Sequence, residues 1–265
     1  MDLHVLGYNE RDGPRLVVRG PDGQSEIPLS GHFDWTASAA RHCTGRSHEG
    51  RHAPCPTDEI VAETSQCAAC SGLEHPACVF EPLCKNVPAA CTCLTTFKGV
   101  EHAVYIAFFG TLAKVGLTQA WRLGRRAREQ GADAYLQVRA GLDRAGARRL
   151  EEALAFVHGV PEHRSHNETL PLLARPVPWE ALRERAEAWR GRLAAEHPVG
   201  PLVEVRDYPI AQPLPGVARR AAAWGRHHGA WLGAKGNNLV YEAGGRLVAL
   251  KRTDLVGRRL TIGEV

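Results

Sequence analysis

Residues 102–132 read HAVYIAFFGTLAKVGLTQAWRLGRRAREQGA. Val104 to Phe109 is an unbroken apolar run, rich in β-branched and aromatic residues, that ends at Gly110 and predicts a buried strand. Lys114 to Leu117 predicts a second short strand, and Gly110 to Ala113 is short enough to fold one back on the other as a hairpin. Thr118 is placed to cap a helix with Leu123 and Ala127 on its apolar face and Gly131 as its stop. The other face of that helix carries Arg122, Arg125, Arg126 and Arg128. Beyond it, Tyr135 to Arg139 predicts a third strand. Arg144 to His158 then predicts a helix with Ala147, Leu150, Leu154 and Val157 on one face and Gly159 after it.

This hairpin and basic helix resemble the core of the GIY-YIG nuclease superfamily. Ala103-Val104-Tyr105 stands where that family has GIY, and Lys114-Val115-Gly116 where it has YIG, with lysine replacing the second tyrosine. Arg126, or its neighbour Arg125, matches the family arginine. Glu151, in the segment Ala147 to Glu152, matches the metal-binding glutamate, and Asn167 the asparagine that follows. The resemblance covers roughly residues 100–170. The KVGLT…R…EQGA run, with cysteines upstream, also looks like a widespread prokaryotic family of unassigned function. By resemblance, Glu151 holds Mg²⁺ or Mn²⁺, Arg126 stabilises the pentavalent phosphate, Tyr105 positions or deprotonates water, and Asn167 orients the group opposite. Lys114 is the departure: a protonated lysine only donates hydrogen bonds, so it binds phosphate or, with its pKa lowered by burial, acts as a base.

The rest of the chain bounds these expectations. Apolar content of 44% and charged content of 23% describe an ordinary globular protein, and the longest apolar run is far too short to cross a bilayer. Residues 1–13 have no hydrophobic region of a signal peptide, so a cytoplasmic location and no membrane partner are expected. All 8 cysteines fall between residues 43 and 93, and clustering of this kind in a reducing compartment favours metal ligation over disulfides. Cys67-Ala-Ala-Cys70 has knuckle spacing for zinc, with Cys43 and Cys55 as partners. Cys78, Cys84, Cys91 and Cys93 form a second set of four, the last two only one residue apart. His75 or His102 can replace a member, the two sites can interleave, and an iron–sulfur cluster is a further alternative. Two structural zinc ions account for every cysteine.

Four segments follow: a β-rich segment 1–41, with strands at Leu3 to Leu6, Arg15 to Val18 and Glu26 to Leu29; the cysteine module 42–101; the GIY-YIG-like core 102–177; and a region 178–265. The last opens with an amphipathic helix carrying Trp179, Leu182, Ala186, Trp189 and Leu193, and continues as a basic β-rich tail. In that tail a hairpin turns at Ala243-Gly244-Gly245, and Leu260 to Ile262 adds an edge strand. The fold class expected is α+β: a three-stranded antiparallel sheet with helices, preceded by a zinc-knuckle module and flanked by β-rich segments. A net charge of +4 fits a polyanionic partner, DNA or RNA, structured or single-stranded. Arg122, Arg125, Arg128, Lys235, Lys251 and Arg252 are the candidate backbone contacts, with Trp224, Trp231 and Tyr241 to stack on unpaired bases. Metal-dependent phosphodiester cleavage is the leading expectation. Non-catalytic nucleic-acid binding on a decayed scaffold, and a small-molecule or protein-interaction role, are the alternatives.

Overall fold

The computed structural model describes residues 2–10, 12–48, 51–71, 98–210 and 213–263. The chain forms two compact units: Met1–Pro76 with Pro209–Ala211 and Gly216–Val265, and Ala77–Tyr208 with Gln212–Pro215. The second is thus inserted in the sequence of the first.

The first unit begins with β1 (Asp2–Asn9), β2 (Arg15–Gly20), β3 (Gly23–Pro28) and β4 (His32–Ala37). Leu3 and Val5, then Leu16 and Val18, point inward at alternate positions, as the period of a half-buried strand requires. A two-stranded ribbon, β5 (Arg46–His48) and β6 (Arg51–Ala53), and the short helix α1 (Ala68–Ser71) follow.

In the second unit β7 (His102–Phe109) and β8 (Leu112–Gln119) form a hairpin closed by Gly110-Thr111. A 3-10 turn (Ala120–Arg122) leads into α2 (Leu123–Gln130), and Gly131, at φ 82°, ends that helix in the left-handed conformation. Thr118 does not cap α2. The β7–β8 ladder runs on to the His102–Gln119 pair and keeps Thr118 inside the strand. Then come β9 (Ala134–Leu142), α3 (Arg144–His158), α4 (His166–Thr169), α5 (Trp179–Leu193) and β10 (Leu202–Glu204). The Asp143 side chain caps α3 by accepting from the Gly146 amide, and Gly159 closes it at φ 68°. The sheet has four strands in the order β10-β9-β7-β8, one more than expected, because β10 pairs with β9. Every residue of β7 is buried, since both its edges are paired and both its faces covered. Val104, Ile106 and Phe108 pack with Ala147 and Leu154 of α3 and Leu182 and Ala186 of α5. Ala103, Tyr105, Ala107 and Phe109 pack with Leu123 and Ala127 of α2.

The chain then returns to the first unit with β11 (Arg219–Arg220), β12 (Gly225–Lys235), β13 (Asn238–Ala243), β14 (Arg246–Lys251), α6 (Arg252–Leu255) and β15 (Arg259–Ile262). The nine-stranded sheet runs β11-β14-β13-β12-β4-β15-β1-β2-β3, antiparallel except for β11 beside β14. The β13–β14 hairpin turns at Gly244 and Gly245, both at positive φ, as expected. β15 is an interior strand and not the expected edge, because it pairs with both β1 and β4. The protein is therefore mixed α+β with two large antiparallel sheets. No helix among the described residues is long and apolar enough to cross a membrane.

Candidate metal centre and polar cluster

In the first unit the ribbon and α1 bring Cys43, Cys55, Cys67 and Cys70 together, with all four sulfur atoms within 4.8 Å of one another. Cys55 Sγ lies 3.9 Å from Cys67 Sγ, close to the ~3.8 Å edge of a tetrahedron built on zinc–sulfur bonds of about 2.3 Å. The Gly45 and Cys67 amides donate to Cys43 Sγ at 3.4 and 3.2 Å, which favours the thiolate form that a metal needs. Gly45 sits at φ 74°, and a Cβ there would fall 2.2 Å from the Ala53 carbonyl oxygen, so the bend that offers its amide tolerates glycine alone. Burial pushes the Cys43 thiol up, and burial with the surrounding sulfurs pushes Cys70 up, whereas the Thr57 hydroxyl draws Cys55 down to about 6. His42 stands outside the set, 3.1 Å from Asp58. An ion held by all four sulfurs would have no coordination position left for a substrate. Cys78, Cys84, Cys91 and Cys93 lie outside the described residues.

In the second unit four of the five expected catalytic residues converge from four elements. Tyr105 of β7 is wholly buried and donates to Gln130 Oε1 at 3.1 Å. Gly116, its partner across the hairpin, lies so close that a Cβ would be 2.8 Å from the phenol. Burial pushes the Tyr105 hydroxyl up to about 12 against the pull of the Arg126 guanidinium from α2. Lys114 on β8 is drawn down to about 8, first by burial and then by Arg126, while Glu151 holds it up. Glu151 on α3, 7% exposed, has its carboxyl raised by burial, with Arg148 and Lys114 opposing. Arg148 is a residue that sequence reasoning missed. It donates to Glu151 at 2.5 Å and Glu162 at 3.0 Å and lies 3.3 Å from Glu152. Its spacing to Glu151 and Glu152, one helical turn, was the available signal. Asn167 is exposed on α4, and among the described residues no hydrogen bond or ion pair ties it to the other four.

The basic residues divide. Arg122, Arg125 and Arg126 gather around one carboxylate, Glu129, at 3.3, 2.8 and 3.7 Å. They occupy the start of a helix that has no acidic residue in its first turn and no side-chain cap, where the helix dipole favours anions over cations. Arg128 instead donates to the Arg206 and Asp207 carbonyls and covers the Tyr208 ring at 5.0 Å. In the first unit Lys235 is only 4% exposed, Arg252 lies over Tyr8 at 4.5 Å and 3.7 Å from Glu10, and Lys251 pairs with Asp254 at 3.2 Å. Tyr241 is buried and Trp231 half-buried. They belong to an aromatic group with Phe33 and Trp35, in which Phe33 stacks on Trp231 at 4.2 Å.

Together these features define an α+β protein with a four-thiol centre in one unit and a buried polar cluster in the other. The chain belongs to the family described as Protein of unknown function (DUF2797), which matches residues 33–253 and so takes in both. No curated protein and no solved structure matches it.

Proposed function

We propose that the second unit is a GIY-YIG-like unit that hydrolyses a phosphodiester of DNA or RNA, and that the first holds a structural zinc ion on Cys43, Cys55, Cys67 and Cys70. The observation that carries the first half is the convergence of Tyr105, Lys114, Arg126 and Glu151. A buried amine drawn to about 8 beside a buried carboxyl with a raised pKa is the kind of paired perturbation that marks reaction sites. The order β8-β7-β9, with α2 on one face and α3 on the other, supports the same reading.

Each residue then has a task. Lys114, neutral in a substantial fraction of molecules near its pKa, takes the proton of the attacking water. Tyr105 keeps its proton at neutral pH and orients that water or a phosphate oxygen. Arg126 meets the charge that builds on the phosphate as the new P–O bond forms and the ester bond breaks. Glu151, by the same resemblance, would hold Mg²⁺ or Mn²⁺ through its carboxylate oxygens once Arg148 released them, and the ion would supply Lewis-acid activation of the phosphate.

The test is cleavage of branched DNA, single strands and structured RNA with Mg²⁺ or Mn²⁺, comparing wild type with Glu151→Gln. Product from the wild type alone supports the assignment, and equal product from both overturns it. A second reading, binding without cleavage, is favoured by the contact between Arg148 and Glu151, which occupies the carboxylate a metal would use. Salt-dependent binding with no product from either protein selects it.

A further inference from the structure

An isolated exposed apolar side chain needs no explanation. Trp121 is different. It is 74% exposed in the 3-10 turn between β8 and α2, directly before the residues that supply Arg122, Arg125 and Arg126. The Arg122 guanidinium lies 5.8 Å from its ring centroid and also reaches Glu129, the carboxylate that Arg126 faces. The ring thus stands beside an arginine that shares Glu129 with Arg126 of the polar cluster, and most of its surface lies in water. Three arginines near the positive end of a helix carry more charge than their shared carboxylate, Glu129, offsets, so a further anion is favoured there. A large π-face beside such an anion site is the pairing that single-stranded nucleic acids require, one side stacking a base and the other holding the backbone.

Resting on the nucleic-acid reading above, we propose that Trp121 is a stacking platform for one unpaired base next to the cluster. Arg122 and Arg125 hold the phosphates on either side of that base. The substrate class follows: a strand with at least one unpaired nucleotide beside the phosphate presented to Tyr105 and Arg126, as at an overhang, flap or loop. Closed duplex keeps its bases stacked on one another and gains nothing from the ring.

The test measures fluorescence anisotropy of labelled oligonucleotides, DNA and RNA, with the full chain in buffer free of added divalent ions. A blunt duplex is compared with the same duplex carrying a short overhang, for wild type, Trp121→Ala and Trp121→Phe. Wild type should prefer the overhang. Trp121→Ala should lose about 5- to 150-fold in affinity for the overhang probe, the range measured for one stacked base, with its blunt-duplex affinity and salt slope unchanged. Trp121→Phe should keep most of the preference. Equal effects of Trp121→Ala on both probes, or none on either, overturn the platform while leaving nucleic-acid binding intact. A wild type that binds neither probe at low salt overturns the nucleic-acid reading itself.

Discussion

At Lys114 burial and charge act against a proton that an exposed lysine would hold firmly. Its pKa falls from 10.5 to about 8, first through burial and then through Arg126. Between those values an unfolded lysine holds its proton and the folded Lys114 has lost it, so the contribution of Lys114 to the stability of the second unit rises with pH from about 8 to 10.5, opposed from about pH 10 by Tyr105, whose hydroxyl is raised to about 12. Glu151 acts in the opposite sense and in a separate range, because burial raises its folded carboxyl above 4.5, and its contribution to stability falls as pH climbs from 4.5 to that raised value. Lys114→Met should therefore flatten the alkaline rise, measured as urea midpoints at neutral pH and near pH 10. A mutant with the wild-type rise refutes the assignment. At Gly116 the constraint is steric. A methyl group 2.8 Å from the Tyr105 phenol must displace the ring or the strand, so Gly116→Ala should cost about 1–3 kcal/mol in denaturant unfolding. The hydroxyl should also move off Gln130. The close approach of Gly116 to the phenol was not readable from the sequence, where the glycine is only part of a motif, whereas a Lys114 pKa lowered by burial was one of the two expectations its place in the motif carried.

Among the elements, α2 shows how one carboxylate sets the charge of a surface. Glu129 is shared by three arginines, and replacing it with glutamine removes those ion pairs and adds one positive charge. Glu129→Gln should lower stability by only about 0.5–1 kcal/mol, as surface pairs do, while steepening the salt dependence of nucleic-acid binding. Thermal midpoints and anisotropy titrations at several salt concentrations check the two halves separately. The elements legible in the sequence were those whose signals are local. The apolar run of β7, the glycines that stop α2 and α3, the Gly-Gly turn of the β13–β14 hairpin and the apolar stripe of α5 each lie within one stretch. β12, GRHHGAWLGAK, was missed because its glycines and histidines hide any alternation, and only pairing with β4 and β13 makes it a strand. β15 was read as an edge because a short strand looks the same at the rim of a sheet as inside it. The cysteine spacing was legible as ligand chemistry, whereas the Gly45 bend that aims an amide at Cys43 was not.

For the molecule as a whole, the nine-stranded sheet of the first unit carries its own apolar cluster and the four-stranded sheet of the second carries one on each face, which implies two cooperative structures. A strong chelator at neutral pH should expose residues 43–71 to proteolysis, since a four-thiolate site supplies folding energy to a segment with few core residues of its own. Fragments covering β7 to β10 should resist the protease at that stage, and a digestion pattern indifferent to the chelator removes the case for a structural ion. The place of β15 carries a consequence for how the chain is made. Of the nine strands in its sheet this one is synthesised after the others, yet it stands between β4 and β1 and joins strands 223 residues or more earlier in the sequence. During translation β7 to β10 and their helices can close around their own core while the nine-stranded sheet waits as two unjoined parts. A nascent chain stalled before Arg259 would hold a finished second unit and, in the first, a sheet with two additional open edges at β4 and β1, ready to be captured by a chaperone or by the same edges of a neighbouring polysome product.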